Sequence, residues 1–199
     1  MERMPKIVDH EARRRHIAEA VHRVIDAKGM DSVSLREVAA EAGMSMGAVQ
    51  HYFASKDEML LLALGHLNTR ISLRVAAVTH DGTPLGLLRV ALLELLPLDD
   101  ERRFEARVGL AFLARSVVAG DLAALLREGL PYVVGFYAGQ IRAAQAAGQV
   151  EGDLDADQEA VMLFAFAQGM VNPVLIGHYT VEDAVSAVDY QLRRLRGGY

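Results

Sequence analysis

The chain has 199 residues, of which 52% are hydrophobic and 24% charged, a composition typical of folded globular domains. It has no cysteine, which excludes disulfides, thiolate metal sites and cysteine nucleophiles and is consistent with the reducing cytoplasm, where we expect the protein. The formal net charge of −5 argues weakly against a general nucleic-acid binder. The acidic excess is uneven, however, because residues 1–60 hold nine Lys/Arg and ten Asp/Glu, against twelve and sixteen in residues 61–199.

Helical periodicity runs through the chain, and alternating strand patterns are hard to find, so we predict an all-α fold of about nine helices. The first helix is expected to begin at Asp9, which can cap it, and to end near Gly29. Its apolar face is predicted to contain Ile17, Val21, Val24 and Ile25.

Two short helices are predicted next, each beginning at a serine that can cap it, Ser34 and Ser45. At Ser34–Glu37 a capping box is expected, in which Ser34 accepts from the Glu37 amide and the Glu37 carboxylate accepts from the Ser34 amide. Between them, Ala39, Gly43 and Val49 have the spacing of a helix-turn-helix. In that motif a small residue lets two helices cross, a glycine adopts the left-handed turn, and an apolar residue packs back.

The second of these helices is predicted to present a small, nearly uncharged face. If Val49 is the centre of the inward face, then at about 100° per residue Tyr52 and Phe53 fall near it. Such an outward face suits a helix that enters the major groove of DNA, where bulky residues would hold it away. The outward residues are Ser45, Gly47, Ala48, Gln50 and His51, with Met46 at the edge.

DNA partners are expected for several of these side chains and for their neighbours. Gln50 can bond an adenine edge with two hydrogen bonds, and Met46 can touch a thymine methyl. Arg36 can reach a phosphate or a guanine. The other side chains expected to contact phosphates are those of Ser45, His51, Tyr52 and Lys56. The predicted DNA-binding residues are Ser34, Arg36, Ser45, Met46, Gly47, Gln50, His51, Tyr52 and Lys56.

Longer helices are expected after residue 54. A second capping-box sequence at Ser55–Glu58 begins a helix that extends to about Val78. A later helix is predicted to bend or break at 129–131, where Gly-Leu-Pro interrupts it. Residues 160–181 contain no charge; polar side chains within this stretch and acidic residues beside it favour a helix buried between protein surfaces over a membrane span.

The segment "SLREVAAEAGMSMGAVQHYFASKDEMLLLAL", Ser34–Leu64, resembles the DNA-binding core of the TetR family of repressors. The family more often has a tyrosine at the position of Gln50 and often a lysine or threonine at that of Met46. The segment Leu95–Val117, with "AAQAAGQVEGDLDAD", is similar to the ligand-binding domain of the BetI-like subset. Residues that match the family pattern are Gly43, Ser45, Gly47, His51, Tyr52, Phe53, Ser55 and Lys56.

This resemblance implies a transcriptional repressor with a helix-turn-helix domain over residues 1–54 and a ligand-binding and dimerisation domain over 55–199. The last two helices of each subunit would form a four-helix dimer interface, and the middle helices would enclose a pocket for a small-molecule effector. The homodimer would bind an inverted-repeat operator in double-stranded DNA. No membrane, metal, cofactor or catalytic activity is expected.

Effector-binding residues are harder to predict. His66 and Arg70 form a polar pair at helical spacing amid apolar neighbours, and Gln168 and Asn172 form another. The alternative is that the aromatic residues are core and that the polar ones are satisfied locally or at the dimer interface. The candidates are His66, Arg70, Arg107, Phe112, Tyr132, Phe136, Gln168 and Asn172.

Two other functions stay open from the sequence. One is an architectural DNA-binding protein on the same fold without a ligand switch. The other is a small helical enzyme with a buried polar site around His66, Arg70 and Asn172, which would leave the helix-turn-helix spacing unexplained. Neither a HExxH metal motif nor a GxSxG nucleophile motif is present.

Overall fold

The computed structural model describes residues 6–197, with side chains from residue 10 onward. This part of the chain contains no strand, which confirms the all-α prediction. One short 3-10 turn, Met30–Ser32, separates the first two helices. The α-helices are α1 (Lys6–Lys28), α2 (Leu35–Glu41), α3 (Met46–Tyr52), α4 (Lys56–Ala77), α5 (Pro84–Glu94), α6 (Asp100–Ser116), α7 (Gly120–Ala146), α8 (Ala156–Leu175) and α9 (Val181–Leu195).

Side-chain caps begin several helices where the sequence predicts them. The Ser34 hydroxyl accepts a hydrogen bond from the Glu37 backbone amide at 3.1 Å. Glu37 does not complete the capping box, because its carboxylate accepts from Lys28 instead. At α9 the box is complete: Thr180 accepts from the Asp183 amide, and the Asp183 carboxylate accepts from the Thr180 amide. These bonds satisfy backbone amides that have no partner inside the helix.

Two boundaries differ from the predictions. Helix α1 begins at Lys6 rather than at Asp9, whose side chain lies outside the described residues. A bend or a break was predicted at 129–131, and helix α7 continues through Pro131, so it is not broken there. The exposed proline removes one backbone hydrogen bond, but Tyr137 and Ile141 beyond it remain buried, and this packing outweighs the local propensity.

The described chain divides into two compact units, residues 6–70 with 107–125 and residues 71–106 with 126–197. In the first unit, the predicted apolar face of α1 is buried, including Ile17, Val21 and Val24. Val38 of α2 and Val49 of α3 are buried as well, and α2 packs against both α1 and α3, which positions the helix-turn-helix.

A buried histidine also joins α1 to α4 in the first unit. His22 is 1% exposed, and its Nε2 donates to the Ala63 carbonyl at 2.8 Å. Its ring centroid lies 5.7 Å from that of His66. Burial is the main cause that lowers the pKa of His22 to about 4, and the neighbouring His66 and Arg70 lower it further. His22 is therefore neutral in the folded chain near neutral pH.

The second unit has α5 packed against both α8 and α9. It also contains a partly buried ion network. Arg74 donates to Glu94 and Glu105 at 2.9 Å each, and Arg102 donates to Glu94 at 3.1 Å. Only 8% of Glu94 and 4% of Glu105 are exposed. These contacts raise the pKa of Arg74 above its ordinary value, and the Glu105 hydrogen bond is the largest cause.

Among the described residues, no single helix is long and apolar enough to cross a membrane. Two consecutive helices joined at a bend, Asp100–Ser116 and Gly120–Ala146, together reach the length and apolar composition of a membrane span. This match rests on length and composition alone.

Candidate nucleic-acid interface

The turn between α2 and α3 is built around Gly43, whose φ of 64° lies in the left-handed region. The Met44 amide donates to the Ala39 carbonyl at 2.9 Å, and the Gly43 amide donates to Ala40 at 3.2 Å. These two bonds form the Schellman arrangement that ends helices at a glycine. The predicted role of Gly43 in the turn is confirmed.

Helix α3 is oriented as its periodicity predicts. Ser45 caps it by accepting from the Ala48 amide at 3.1 Å, and Val49 and Phe53 are buried. Met46, predicted at the edge of the outward face, is 48% exposed. Ala48 and Tyr52 are half-buried. The exposed residues of the α3 region are Ser45, Met46, Gly47, Gln50 and His51.

Arg14 of α1 holds the C-terminal end of α3. Its Nη1 donates to the Tyr52 carbonyl at 3.1 Å, and its guanidinium carbon lies 4.8 Å from the centroid of the Phe53 ring. The same nitrogen is 4.0 Å from a Glu58 carboxylate oxygen. A cation at the last carbonyls of a helix also interacts favourably with the helix dipole. Arg14 therefore sets the position of α3 relative to α1 and α4.

His16 of α1 performs a similar role for α2. Its Nε2 donates to the carbonyl of Ala42, at the end of α2, at 2.9 Å. Neither this contact nor that of Arg14 was predicted from the sequence. The sequence indicates only that the last carbonyls of each short helix need hydrogen-bond donors and that α1 is rich in basic side chains. It does not indicate which donor reaches which carbonyl.

The predicted phosphate contacts lie around the edges of α3. Arg36 is exposed on α2, and Lys56 is half-buried at the start of α4, where the Ser55 hydroxyl accepts from the Glu58 amide. Ser34 is exposed, but its hydroxyl already accepts the capping bond. The arrangement gathers the predicted DNA-binding residues around one short helix.

The predicted effector residues fall into two groups. His66, Arg70, Arg107 and Phe112 belong to the first unit, where Phe112 is buried and Arg107 is paired with Asp26. The other four belong to the second unit and are exposed, with Tyr132 and Phe136 one turn apart on α7 and Gln168 and Asn172 one turn apart on α8. Their roles stay predictions.

Comparison with known proteins bears on both halves of the chain. Residues 17–63 match the family model described as bacterial regulatory proteins, tetR family. Residues 84–197 match the model described as BetI-type transcriptional repressor, C-terminal. The chain belongs to the TetR family of transcriptional regulators. The helix-turn-helix around Gly43 is thus the DNA-binding element of a TetR-family protein.

Individual relatives agree with this assignment. The HTH-type transcriptional regulator PksA of Bacillus subtilis is 33% identical over 182 residues, covering 87% of this chain and 86% of the relative. A transcriptional regulator from Rhodococcus sp. Rha1 has a TM-score of 0.82 at 32% identity, covering 92% and 95% of the two chains. A Saccharomonospora viridis regulator, solved in complex with choline, has a TM-score of 0.76 at 25% identity, covering 90% and 95%.

Proposed function

We propose that this TetR-family chain is a repressor that binds an inverted-repeat operator as a homodimer and is released by a small-molecule effector. The observation that carries the proposal is the exposed face of α3. It is short, it has no Lys or Arg, and apart from Met46 its exposed side chains are small or hydrogen-bonding. Caps and Arg14 fix its orientation, so it can enter the major groove as a rigid element.

The dimer is supported by an uncharged stripe on α8. Its exposed residues recur at helical spacing and combine small, apolar and amide side chains, which suit a helix packed against another copy. A Cβ atom at Gly169 would have no neighbouring atom within 4 Å. Contacts within the described part of one chain therefore do not require a glycine at this position. The residues of this dimer stripe are Gln158, Val161, Met162, Ala165, Gln168, Gly169 and Asn172.

A charged substitution in the dimer stripe tests the dimer. We expect Ala165→Arg to shift the chain from dimer to monomer in sedimentation velocity, because the interface would have to bury an unpaired charge. Ala143→Arg, at another exposed helical alanine on α7, is the matched control and should remain dimeric. An Ala165→Arg chain that remains fully dimeric would contradict the α8 interface.

The effector is proposed to be an apolar or amphipathic molecule, and the choline complex of the related regulator makes a quaternary ammonium the first probe. Aromatic rings bind such cations through their faces. The second unit offers a ring cluster in which Tyr137 lies 6.0 Å from Phe136 and 6.3 Å from Phe164, centroid to centroid. Binding that favours a form unable to match the operator would release the DNA.

Selection of bound duplexes from random DNA is the direct test. We expect recovered sequences to share an inverted repeat with half-sites about one or more helical turns apart. Choline and a panel of amphipathic molecules are then added to the bound complex. Release by any of them supports the effector-controlled repressor, whereas recovery of unrelated duplexes with no release would favour an architectural protein.

A further inference from the structure

Three aromatic rings form a continuous strip at the C-terminal end of α3. The ring centroids of His10 and Tyr52 are 4.8 Å apart, and those of His51 and Tyr52 are 5.3 Å apart. Both histidines are exposed, and Tyr52 is half-buried between them. The strip therefore brings His10, a residue of α1, onto the same surface as the outward face of α3.

This surface is short of positive charge. Helix α3 contains no Lys or Arg, yet binding along a DNA backbone requires cations to neutralise phosphates. Several basic side chains of the first unit are also held by carboxylates. Histidine can supply the missing charge, since it becomes a cation at mildly acidic pH and a nearby phosphate favours that form. The ion pairs are Arg14–Glu58, Arg23–Glu41, Lys28–Glu37 and Arg107–Asp26.

We propose that His10 and His51 form a phosphate-binding site for the DNA backbone, with the Tyr52 ring holding the two imidazoles in place. The Tyr52 ring packs against both imidazoles, which limits where each ring can lie and keeps the two on one surface. This inference rests on the proposed DNA binding and adds to it a contact residue, His10, that lies outside the helix-turn-helix.

The charged groups around the strip come from α1 and α4. Arg14 donates to the backbone carbonyl at the end of α3, and Glu58 lies 4.0 Å from the same guanidinium. Glu11 and Arg13 are exposed neighbours of His10 in the sequence of α1, and Lys56 and Asp57 begin α4. Three of these six groups are positive and three are negative, so they bring no net charge to the strip. A DNA phosphate would then be the group that favours protonation of the imidazoles.

The test measures how salt weakens DNA binding at two pH values. A labelled duplex recovered by the selection is titrated with wild-type protein over a salt series at about pH 6 and about pH 8. Each added phosphate contact steepens the slope of log K against log salt by about 0.9. We expect a steeper wild-type slope at the lower pH. His10→Gln should lose about two units of that increase in a dimer, one for each subunit.

Two further variants separate charge from structure. His80→Gln changes an exposed histidine in the second unit and should keep the full increase. His10→Arg carries a permanent charge, so at about pH 8 its slope should be about two units steeper than that of wild type, without the part of the increase that His51 supplies at about pH 6.

Three outcomes would overturn the phosphate site even if the protein binds DNA. The first is an equal wild-type slope at both pH values, and the second is a pH-dependent increase in slope that His10→Gln retains in full. The third is a His10→Arg slope at the higher pH that is no steeper than that of wild type. Failure to bind any duplex at either pH would overturn the proposed function and the site together. Thermal unfolding of His10→Gln should match wild type, because the side chain is exposed.

Discussion

Loss of Arg74 should destabilise the second unit strongly. This arginine donates to Glu94 and Glu105, which are 8% and 4% exposed. In Arg74→Met, Glu94 keeps its bond from Arg102, whereas Glu105 loses two hydrogen bonds from one guanidinium. Removing one partner of a buried ion pair is strongly destabilising, so we expect the free energy of unfolding to fall by about 3–5 kcal/mol.

Urea denaturation followed by circular dichroism measures this loss, with an exposed ion pair as control. Arg142 pairs with Asp157, and both side chains are more than half exposed, so Arg142→Met should lower the free energy of unfolding by less than about 1 kcal/mol. Adding Glu105→Gln to Arg74→Met should recover part of the loss, because an amide is cheaper to bury than a charge. A loss below about 1 kcal/mol in Arg74→Met would refute this reasoning.

Three further predictions concern the first unit. Gly43→Val should lower the free energy of unfolding by about 1–2 kcal/mol in urea denaturation, because its φ is 64° although no atom crowds the site. Gly47→Ala should raise stability by up to about 1 kcal/mol yet weaken operator binding in fluorescence anisotropy, since the methyl group occupies the groove-facing side. Stability should fall by about 3 kcal/mol as the pH drops from about 6.5 to about 4, because the unfolded chain protonates His22 first and its folded pKa is about 4. Comparison with His22→Gln isolates the contribution of His22 to the pH dependence of the free energy of unfolding. Equal pH profiles for the two proteins would contradict this contribution.

Local rules were enough to predict the helix-turn-helix. The burial of Val49 and the exposure of Gln50 follow from the helical repeat once an inward residue is chosen. The turn at Gly43 follows from the backbone freedom of glycine, and the caps at Ser34 and Ser45 follow from unpaired amides at helix starts. All of these depend on residues close together in the chain.

Contacts between distant residues could not be predicted in this way. Arg14 and Tyr52 are 38 positions apart, and Arg74 and Glu105 are 31 apart. Which arginine meets which carboxylate depends on how the helices pack, and neither spacing nor propensity specifies that. The same limit applies to the effector residues, for which helical spacing predicted shared faces but not which faces are buried.

We propose that the exposed face of α3 reads DNA bases, and paired selections from random duplexes can detect this. Gln50→Ala should change the recovered bases at two symmetry-related positions, because Gln50 is exposed and is proposed to bond a base edge. Lys56→Ala should recover the wild-type sequence and bind all duplexes more weakly. Recovery of the wild-type sequence with wild-type affinity by Gln50→Ala would contradict the claim.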